Sequence, residues 1–280
     1  SIRVLNRVLS WTSDGIEYEA DQRHADIVVS ELGLKEAKPV STPGCKEDCD
    51  RMLAEPGPLL DPAAATMYRA LAARLNYLAL DRSDIQFATK EIAKHMAAPT
   101  EGNWLLMKRI ARYLLGHPRL VQLFRWQDAC LDLSTYTDSD WAGDKVTRKS
   151  TSGGIALRGK HCIKSWSSNQ TIIALSSAEA ELYALLKGAA QTLGLVSMAA
   201  DFGDRLQGSL WSDASAAIAI SQRTGLGKLR HIQTQFLWLQ ERVSAKELQL
   251  TKVVGTANPA DMLTKHLAKA DLEKHLEFSG

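Results

Sequence analysis

The sequence has no uninterrupted apolar run near the roughly 18 residues that a membrane-spanning helix needs. It has 4 cysteines, and the scattered positions of Cys45, Cys49, Cys130 and Cys162 indicate a reducing compartment, not a disulfide framework. Cys45 and Cys49 have a spacing that zinc ligands sometimes use, but no second pair of Cys or His follows nearby. We therefore expect no membrane partner, no disulfide scaffold and no zinc site.

The composition is that of a globular protein. Hydrophobic residues make up 45% and charged residues 24% of the 280 residues. At roughly 150 residues per domain, this length suggests about two domains. The chain begins Ser1-Ile-Arg-Val-Leu, without an initiator Met or a signal-peptide pattern, so we expect that it is cut from something longer or was trimmed.

The net charge of +2 conceals two local runs of basic residues. Trp104 to Arg125 contains five basic residues and no acidic one, and Lys145 to Ala178 contains six basic residues and no acidic one. Such runs can form positive surface without changing the total charge, although a solvated face is the simpler interpretation of either run alone.

Sequence patterns predict mainly helices in the first 130 residues. Residues 3–19 predict a β-hairpin, residues 22–34 predict a helix, and the five prolines of residues 38–62 favour a linker or extended loop. Apolar residues at helical spacing predict three further helices, over 63–79, 83–97 and 101–115.

The pattern after residue 130 alternates between strands and helices. The predicted strands are 133–138, 153–158, 161–167, 208–213 and 248–254. The predicted helices are 177–200, 215–222, 232–245 and a last one from about 259. Three consecutive strands suggest an antiparallel meander, and strands separated by helices suggest parallel additions. We predict an α/β fold with a mixed sheet flanked by helices, preceded by a small helical region.

Four acidic residues lie at element ends in this half. Asp138 ends its first strand, Glu181 lies early in the long helix, Asp213 ends the fourth strand, and Asp261 begins the last helix. Neighbouring strand ends lie about 4.8 Å apart, and a helix packed on the sheet can bring its first turns over the same end. Clustered carboxylates repel unless cations neutralise them, and Mg²⁺ prefers oxygen ligands. The pattern is compatible with a metal site, while turn or helix capping is the alternative for each residue.

Four motifs of this half follow one another in order. They are Tyr136-Thr-Asp-Ser-Asp-Trp-Ala-Gly143, Lys149-Ser-Thr-Ser-Gly-Gly154, Ser176-Ser-Ala-Glu-Ala-Glu-Leu-Tyr-Ala184 and Asn258-Pro-Ala-Asp-Met-Leu-Thr-Lys265. They resemble the ribonuclease H domain of copia-type LTR retrotransposon Pol polyproteins. The resemblance implies a ribonuclease H-like five-stranded sheet and cleavage of the RNA strand of an RNA–DNA hybrid inside the cell, in the cytoplasm or nucleus. It also implies two Mg²⁺ ions, with Mn²⁺ as a substitute, held by Asp138, Glu181, Asp213 and Asp261.

The first half is similar to the same polyprotein. The motifs are Gly15-Ile-Glu-Tyr-Glu19, Lys38-Pro-Val-Ser-Thr-Pro43, Tyr68-Arg-Ala-Leu71 and Arg109-Ile-Ala-Arg-Tyr-Leu114. The resemblance implies the end of a reverse transcriptase palm and a linker over 1–62, a helical thumb- or connection-like region over 63–125, and the ribonuclease H domain over 131–270. The sequence has no Asp-Asp pair, so we expect no DNA synthesis by this chain, and the remaining palm and fingers of the polyprotein as a partner.

Two assignments are open from the residues alone. Glu179 and Glu181 flank the apolar stripe of the long helix on opposite sides, so helical spacing does not choose between them. The register of the family places the metal ligand at Glu181 and leaves Glu179 as a helix cap. Asp140 is either a further ligand or, as we prefer, a turn cap. His231 is either a substrate contact or a buried structural residue.

The resemblance gives the basic runs a role. Lys145, Arg148, Lys149 and Ser152 are predicted to contact the hybrid backbone, and Arg109 and Arg112 are predicted to extend the same groove. The primary hypothesis is a metal-dependent endoribonuclease. A DNA strand transferase of the integrase kind shares the fold, but in that family the Glu follows the second Asp. It is disfavoured because Glu181 precedes Asp213 in this chain. A catalytically inactive remnant or connection module that only binds nucleic acid is the non-enzymatic alternative.

Overall fold

The computed structural model describes residues 1–225 and 235–279, and His231 therefore lies outside the described residues. The chain forms two compact units. The first unit comprises Ser1–Trp126 and Lys265–Phe278, and the second comprises Gln127–Thr264. Residues 265–270, which we expected in the ribonuclease H domain, thus lie in the first unit. The assignment of reverse transcriptase and ribonuclease H regions to the chain stays a prediction.

The first unit contains a four-stranded antiparallel sheet. Its strands, in spatial order, are β1 (Ile2–Val4), β2 (Arg7–Trp11), β3 (Gly15–Glu19) and β4 (Val121–Arg125). The predicted hairpin is confirmed as β2 and β3, in which Leu9 pairs with Tyr18. Strand β4 was not predicted, because its pairing with β3 joins segments that are far apart in the sequence.

Nine α-helices lie within residues 1–225 and 235–279. In chain order they are α1 (Arg23–Glu31), α2 (Lys46–Ala54), α3 (Pro62–Leu78), α4 (Ser83–Ala93), α5 (Glu101–Gly116), α6 (Ser177–Asp201), α7 (Ser215–Gln222), α8 (Gln235–Ser244) and α9 (Lys269–Phe278). Helix α3 begins where the Asp61 carboxylate accepts hydrogen bonds from the backbone N–H groups of Ala63 and Ala64. None of the helices described is both long and apolar enough to cross a membrane.

Helix α2 lies within residues 38–62, where we predicted a linker or extended loop. That prediction was wrong for Lys46–Ala54, because the prolines flank this segment at Pro43 and Pro56 and leave its interior free. Proline disfavours a helix at its own position and at the residue before it, so the nine residues between can form helical turns.

Helices α3, α4 and α5 share one buried core. The predicted apolar stripes supply it, since Leu75, Ile85 and Ile110 are each at most 1% exposed. Leu105 was expected in the stripe of α5 and is 51% exposed, because the buried face of that helix runs through Met107. Helices α3 and α5 therefore bury one side, as amphipathic spacing predicts, whereas no residue of α4 is exposed.

The second unit contains a five-stranded mixed sheet. Its strands are β5 (Asp132–Asp140), β6 (Thr151–Arg158), β7 (His161–Asn169), β8 (Gln207–Ser212) and β9 (Leu248–Lys252), in the spatial order β7-β6-β5-β8-β9. Strands β5, β6 and β7 form an antiparallel meander, and β8 and β9 are added in parallel. This arrangement confirms the predicted α/β fold with its mixed five-stranded sheet flanked by helices.

Helix α6 packs closely across the centre of this sheet. Gly188 allows the approach, because the methyl group of Thr137 occupies the space that a Cβ atom would need. One turn further on, the Thr192 hydroxyl donates to the Thr135 hydroxyl at 2.7 Å. These contacts bring the first turns of α6 over the end of β5, where Asp138 lies.

The last part of the second unit differs from the prediction of a helix from about 259. Two short 3-10 turns, Gly255–Ala257 and Pro259–Leu263, take its place, and α9 begins only at Lys269. The buried Asn258 explains the local structure, because its side chain accepts from the Ala260 N–H at 3.2 Å and donates to the Thr137 carbonyl at 3.0 Å. Asp261 consequently lies in a 3-10 turn held against β5.

Candidate active site

Asp138 and Asp213 come together because their strands are parallel neighbours. The register of β5 and β8 pairs Tyr136 with Trp211, so the residues two positions further on lie side by side. Asp138 is 6% exposed near the end of β5, and Asp213 directly follows β8 and is partly buried. Strand pairing alone therefore places two carboxylates at one edge of the sheet.

Helix α6 supplies the third carboxylate through Glu181. Its first turn is capped by Ser176, whose hydroxyl accepts from the Glu179 N–H at 3.2 Å, and Glu179 in turn accepts from the Leu175 N–H at 2.8 Å. Glu179 thus helps to cap the start of α6, as we predicted from the capping pattern. Glu181 points to the strand ends instead.

Asp138, Glu181 and Asp213 form one group, each with a carboxylate oxygen within 4.8 Å of the others. The backbone N–H and the hydroxyl of Ser139 both donate to Glu181 Oε1, at 3.1 and 2.9 Å. The hydroxyl of Thr264 donates to Asp138 Oδ2. These hydrogen bonds fix the orientation of two of the three carboxylates.

The electrostatics of the group fit a divalent cation. Burial, and then the neighbouring carboxylate of Asp138, raise the pKa of Glu181 to about 8. Glu181 Oε2 is buried and has no hydrogen-bond partner among the described residues. A cation with a preference for oxygen ligands would satisfy this atom and offset the repulsion of three carboxylates.

Asp261 and Asp140 lie outside that three-residue group. Asp261 lies in the 3-10 turn Pro259–Leu263, and Thr264 connects this turn to the site because its hydroxyl also contacts the Asp261 carbonyl at 3.2 Å. Asp140 accepts a hydrogen bond from the Thr151 N–H, which agrees with a role at the turn. The structure thus brings three of the four predicted ligands together, and the ligand role of Asp261 stays a prediction.

Ser139 and Thr264 were not singled out from the sequence, although both lie inside the quoted motifs. Small hydroxyl residues are common in turns and strand ends, so their type carries little information. The signal that identifies them is their contact with a clustered carboxylate, which only the folded chain provides.

Three of the predicted nucleic-acid contacts lie in the turn between β5 and β6. Lys145 and Arg148 are exposed and Lys149 is half-buried. Asp144 shapes this turn, because its carboxylate accepts from the N–H groups of Val146 and Thr147 at 3.0 and 2.8 Å. The turn therefore presents basic side chains from a defined backbone.

A pocket of about 590 Å³ lies between β7, α6 and α8 in the second unit. Ser152 lines it, is 3% exposed and accepts from Gln170 Nε2 at 3.0 Å. Lys187 lines the same pocket and donates to the Ser168 hydroxyl, and burial, then the charge of Lys164, lower its pKa. The pocket thus combines a cation with polar side chains.

Arg109 and Arg112 make contacts within the first unit. Arg109 donates to Asp48 Oδ2 at 2.8 Å and to the Thr42 hydroxyl at 3.0 Å, and Arg112 donates to the Lys38 carbonyl at 2.7 Å. Both therefore hold the segment after α1 onto α5. Their predicted contact with nucleic acid stays a prediction.

No family model matches the chain. Among solved structures it is similar to LC11-RNase H1 in complex with an RNA/DNA hybrid, with 16% identity, a TM-score of 0.32, and coverage of 47% of this chain and 93% of that one. It is also similar to the foamy viral protease-reverse transcriptase in complex with dsDNA, with 13% identity, a TM-score of 0.45, and coverage of 75% and 42%.

Among the curated relatives are three plant proteins. The Pol polyprotein of transposon RE1 of Arabidopsis thaliana is 31% identical over 254 residues, or 89% of this chain, and that of transposon TNT 1-94 of Nicotiana tabacum is 28% identical over 270 residues, or 93%. The chain spans 17% and 20% of their lengths. The uncharacterized mitochondrial protein AtMg00810 of Arabidopsis thaliana is 32% identical over 170 residues, which cover 60% of this chain and 68% of that protein. The chain belongs to the retrovirus-related Pol polyproteins of copia-type transposons.

Proposed function

We propose that the second unit is a ribonuclease H that cleaves the RNA strand of RNA–DNA hybrids during reverse transcription of a retrotransposon. The observation that carries this proposal is the group formed by Asp138, Glu181 and Asp213 at one end of a ribonuclease H-like sheet. Membership of the Pol polyproteins supports it, because those proteins derive from retrovirus-related transposons.

The cofactor of the proposed reaction is Mg²⁺, two ions in all, with Mn²⁺ as a substitute. Asp138, Glu181 and Asp213 would hold it, with Asp261 as the fourth ligand that the family motif implies. Two divalent ions at such a site supply a nucleophilic water and stabilise charge on the phosphodiester.

The chain's own side chains prepare this site. Ser139 holds Glu181 Oε1 and leaves the buried Oε2 without a protein partner among the described residues, available to a cation. Thr264 holds Asp138 Oδ2 in the same way from the segment after the last strand. Because the carboxylates are oriented before a cation arrives, little reorganisation is needed on binding.

The proposed partners are an RNA–DNA hybrid and the rest of the Pol polyprotein, including the reverse transcriptase palm and fingers, in the cytoplasm or nucleus. The turn with Lys145, Arg148 and Lys149 begins at the end of β5, close to Asp138, and would follow the phosphate backbone. Such contacts set affinity and salt dependence and carry no sequence preference.

The test is cleavage of a hybrid with labelled RNA in the presence of Mg²⁺. We expect the wild type to cut the RNA strand, and Asp138→Asn to cut it at least about 100-fold more slowly, because loss of a ligand costs at least as much as loss of a ligand's hydrogen-bond partner. Asp201→Asn is the matched control, since this exposed acid lies at the opposite end of α6. Binding of the hybrid without cleavage would instead identify a nucleic-acid-binding module.

A further inference from the structure

Trp141 is a large apolar side chain left in solvent beside the carboxylate group. It is 52% exposed and directly follows β5. Because it is three residues from Asp138, its Cα lies within about 10 Å of that residue. A tryptophan ring contributes a large contact area when it is covered, so an exposed one next to a candidate active site indicates a binding surface.

The indole ring is held in place by the chain. Its Nε1–H donates to the Ala174 carbonyl at 3.0 Å, which joins the end of β5 to the segment that leads into α6. The polar group of the side chain is therefore already satisfied, and what remains for a ligand is apolar ring surface. A ring that is positioned before binding also loses less conformational freedom on binding.

Two further exposed apolar residues are neighbours, in the sequence, of the residue that accepts this hydrogen bond. Ile173 and Leu175 flank Ala174 and are 52% and 68% exposed. With Trp141 they form the Trp141 ridge, which adjoins the start of α6 and so the helix that carries Glu181. The ridge and the carboxylate group are thus neighbouring parts of one surface of the second unit.

The charges next to the ridge indicate what covers it. The turn that follows Trp141 carries Lys145, Arg148 and Lys149, whereas the carboxylate of Asp144 is engaged by backbone N–H groups of the same turn. A nucleic-acid strand has flat apolar rings and a phosphate backbone, so it matches both the ridge and the basic turn. An apolar protein surface would match the ridge but not the positive charge of the basic turn.

We propose that Trp141 stacks on a base of the nucleic-acid strand bound at the carboxylate group, one to three nucleotides from the phosphate that lies there. The inference rests on the proposed function and makes Trp141 a positioning residue for the substrate. The range of one to three nucleotides follows from two lengths. The Cα atoms of Trp141 and Asp138 lie within about 10 Å of each other, and a nucleic-acid strand rises about 3.4 Å per nucleotide.

The first measurement is hybrid binding in EDTA by fluorescence anisotropy. We expect Trp141→Leu to weaken binding about 5- to 100-fold, and Trp141→Phe to retain most of it, because the stacking of a base on an aromatic ring is lost only in the former. The slope of affinity against salt should not change with Trp141→Leu, since stacking releases no counterions. Phe202→Leu is the matched control, because Phe202 is 82% exposed at the far end of the 25-residue helix α6.

The second measurement removes the base instead of the side chain. Hybrids with one abasic position, moved along the strand in steps of one nucleotide, should weaken wild-type binding at one position and leave Trp141→Leu unaffected there. Equal losses for both proteins at every position would overturn the proposal. Unchanged hybrid binding by Trp141→Leu would also overturn it. If that variant bound the hybrid normally but lost binding to the palm and fingers, the ridge would be assigned to a protein partner.

These outcomes are separable from those of the proposed function. Binding in EDTA requires no cleavage, so Trp141-dependent binding of a hybrid that is never cut with Mg²⁺ would overturn the nuclease and keep the ridge. RNA cleavage with the same affinity and KM in wild type and Trp141→Leu would overturn the role of Trp141 alone. Thermal unfolding of each variant shows whether it is folded, and Ile173→Ser tests the same ridge through a second side chain.

Discussion

Ser139 holds one oxygen of Glu181 with two hydrogen bonds, from its backbone N–H at 3.1 Å and from its hydroxyl at 2.9 Å. Strand β5 thereby sets the orientation of a carboxylate that belongs to α6. Because both bonds end on Oε1, the other carboxylate oxygen of Glu181 remains for a cation. A residue of the sheet thus orients a candidate ligand that the helix supplies.

The hydroxyl of Ser139 should be needed for full activity. Ser139→Ala keeps the backbone bond and removes the other, so we expect cleavage of the hybrid to fall about 10- to 100-fold with little loss of stability. Ser134→Ala is the matched control, because Ser134 lies on the same strand and contacts Ser209 instead. Equal activity of both variants and the wild type would show that Glu181 needs no such support.

A substitution at Thr264 can remove the hydroxyl with almost no change in the shape of the side chain. Thr264→Val has nearly the same shape but cannot donate to Asp138 Oδ2, whereas Thr264→Ser keeps the hydroxyl. We expect a loss of about 10-fold or more in Mg²⁺ affinity for the valine variant and partial recovery for serine. Titration of Mg²⁺ against cleavage rate measures this, and identical titration curves for valine and serine would contradict the role of the hydroxyl.

Removal of the metal should reveal the repulsion within the carboxylate group. In EDTA at pH 9, where Glu181 with its pKa of about 8 is mostly ionised, Glu181→Gln removes one of three neighbouring charges, so we expect the second unit of this variant to melt a few degrees above that of the wild type. Added Mg²⁺ should then raise the melting temperature of the wild type more than that of the variant. Equal melting of both proteins in EDTA would argue against charge repulsion at the site.

Neutralisation of the basic turn should change the electrostatic part of hybrid binding. Replacing Lys145, Arg148 and Lys149 with Gln should weaken binding and reduce the slope of log affinity against log salt by about 1 for each lost phosphate contact. Lys160→Gln, in the exposed turn between β6 and β7, is the control. An unchanged affinity and slope in the triple variant would remove this turn from the interface.

The first unit should lose stability in mild acid because of His266. Its Nε2 lies 3.2 Å from Cys49 Sγ and its ring packs on Phe87, and burial lowers its pKa to about 4, although Glu91 acts in the opposite direction. An unfolded chain takes up this proton near pH 6.5, so the stabilisation is complete above pH 6.5 and is lost as the pH falls toward 4.

The size of this effect is on the order of 3 kcal/mol at most, from the difference between the two pKa values. Urea unfolding of the wild type and His266→Gln at pH 7.5, 6 and 5 measures it. We expect the free energies of unfolding of the two proteins to converge as the pH falls, and parallel curves would show that His266 does not cause the acid sensitivity.

Much of the second unit could be predicted from local pattern. The alternation and spacing of apolar residues predicted all five strands and α6, since these elements bury one face along their whole length. The strand pattern placed Asp138 and Asp213 at strand ends, and parallel pairing of β5 with β8 then made their proximity a direct consequence of topology.

Other features depended on contacts between distant residues. Helical spacing did not choose between Glu179 and Glu181, and only the resemblance to the family favoured Glu181. In the structure, the packing of Gly188 on Thr137 sets the rotation of α6 over the sheet. The 3-10 turn of Asp261 depends in the same way on the bond from Asn258 to the Thr137 carbonyl.

The sequence by itself therefore determined which residues could carry chemistry and on which elements they lie, because periodicity and capping are properties of neighbouring residues. The tertiary structure decided which of them meet. It joined β4 to β3, assigned Lys265–Phe278 to the first unit, and brought Ser139 and Thr264 to the carboxylates. Such pairings depend on burial and hydrogen bonds between segments far apart in the chain, and no local pattern encodes them.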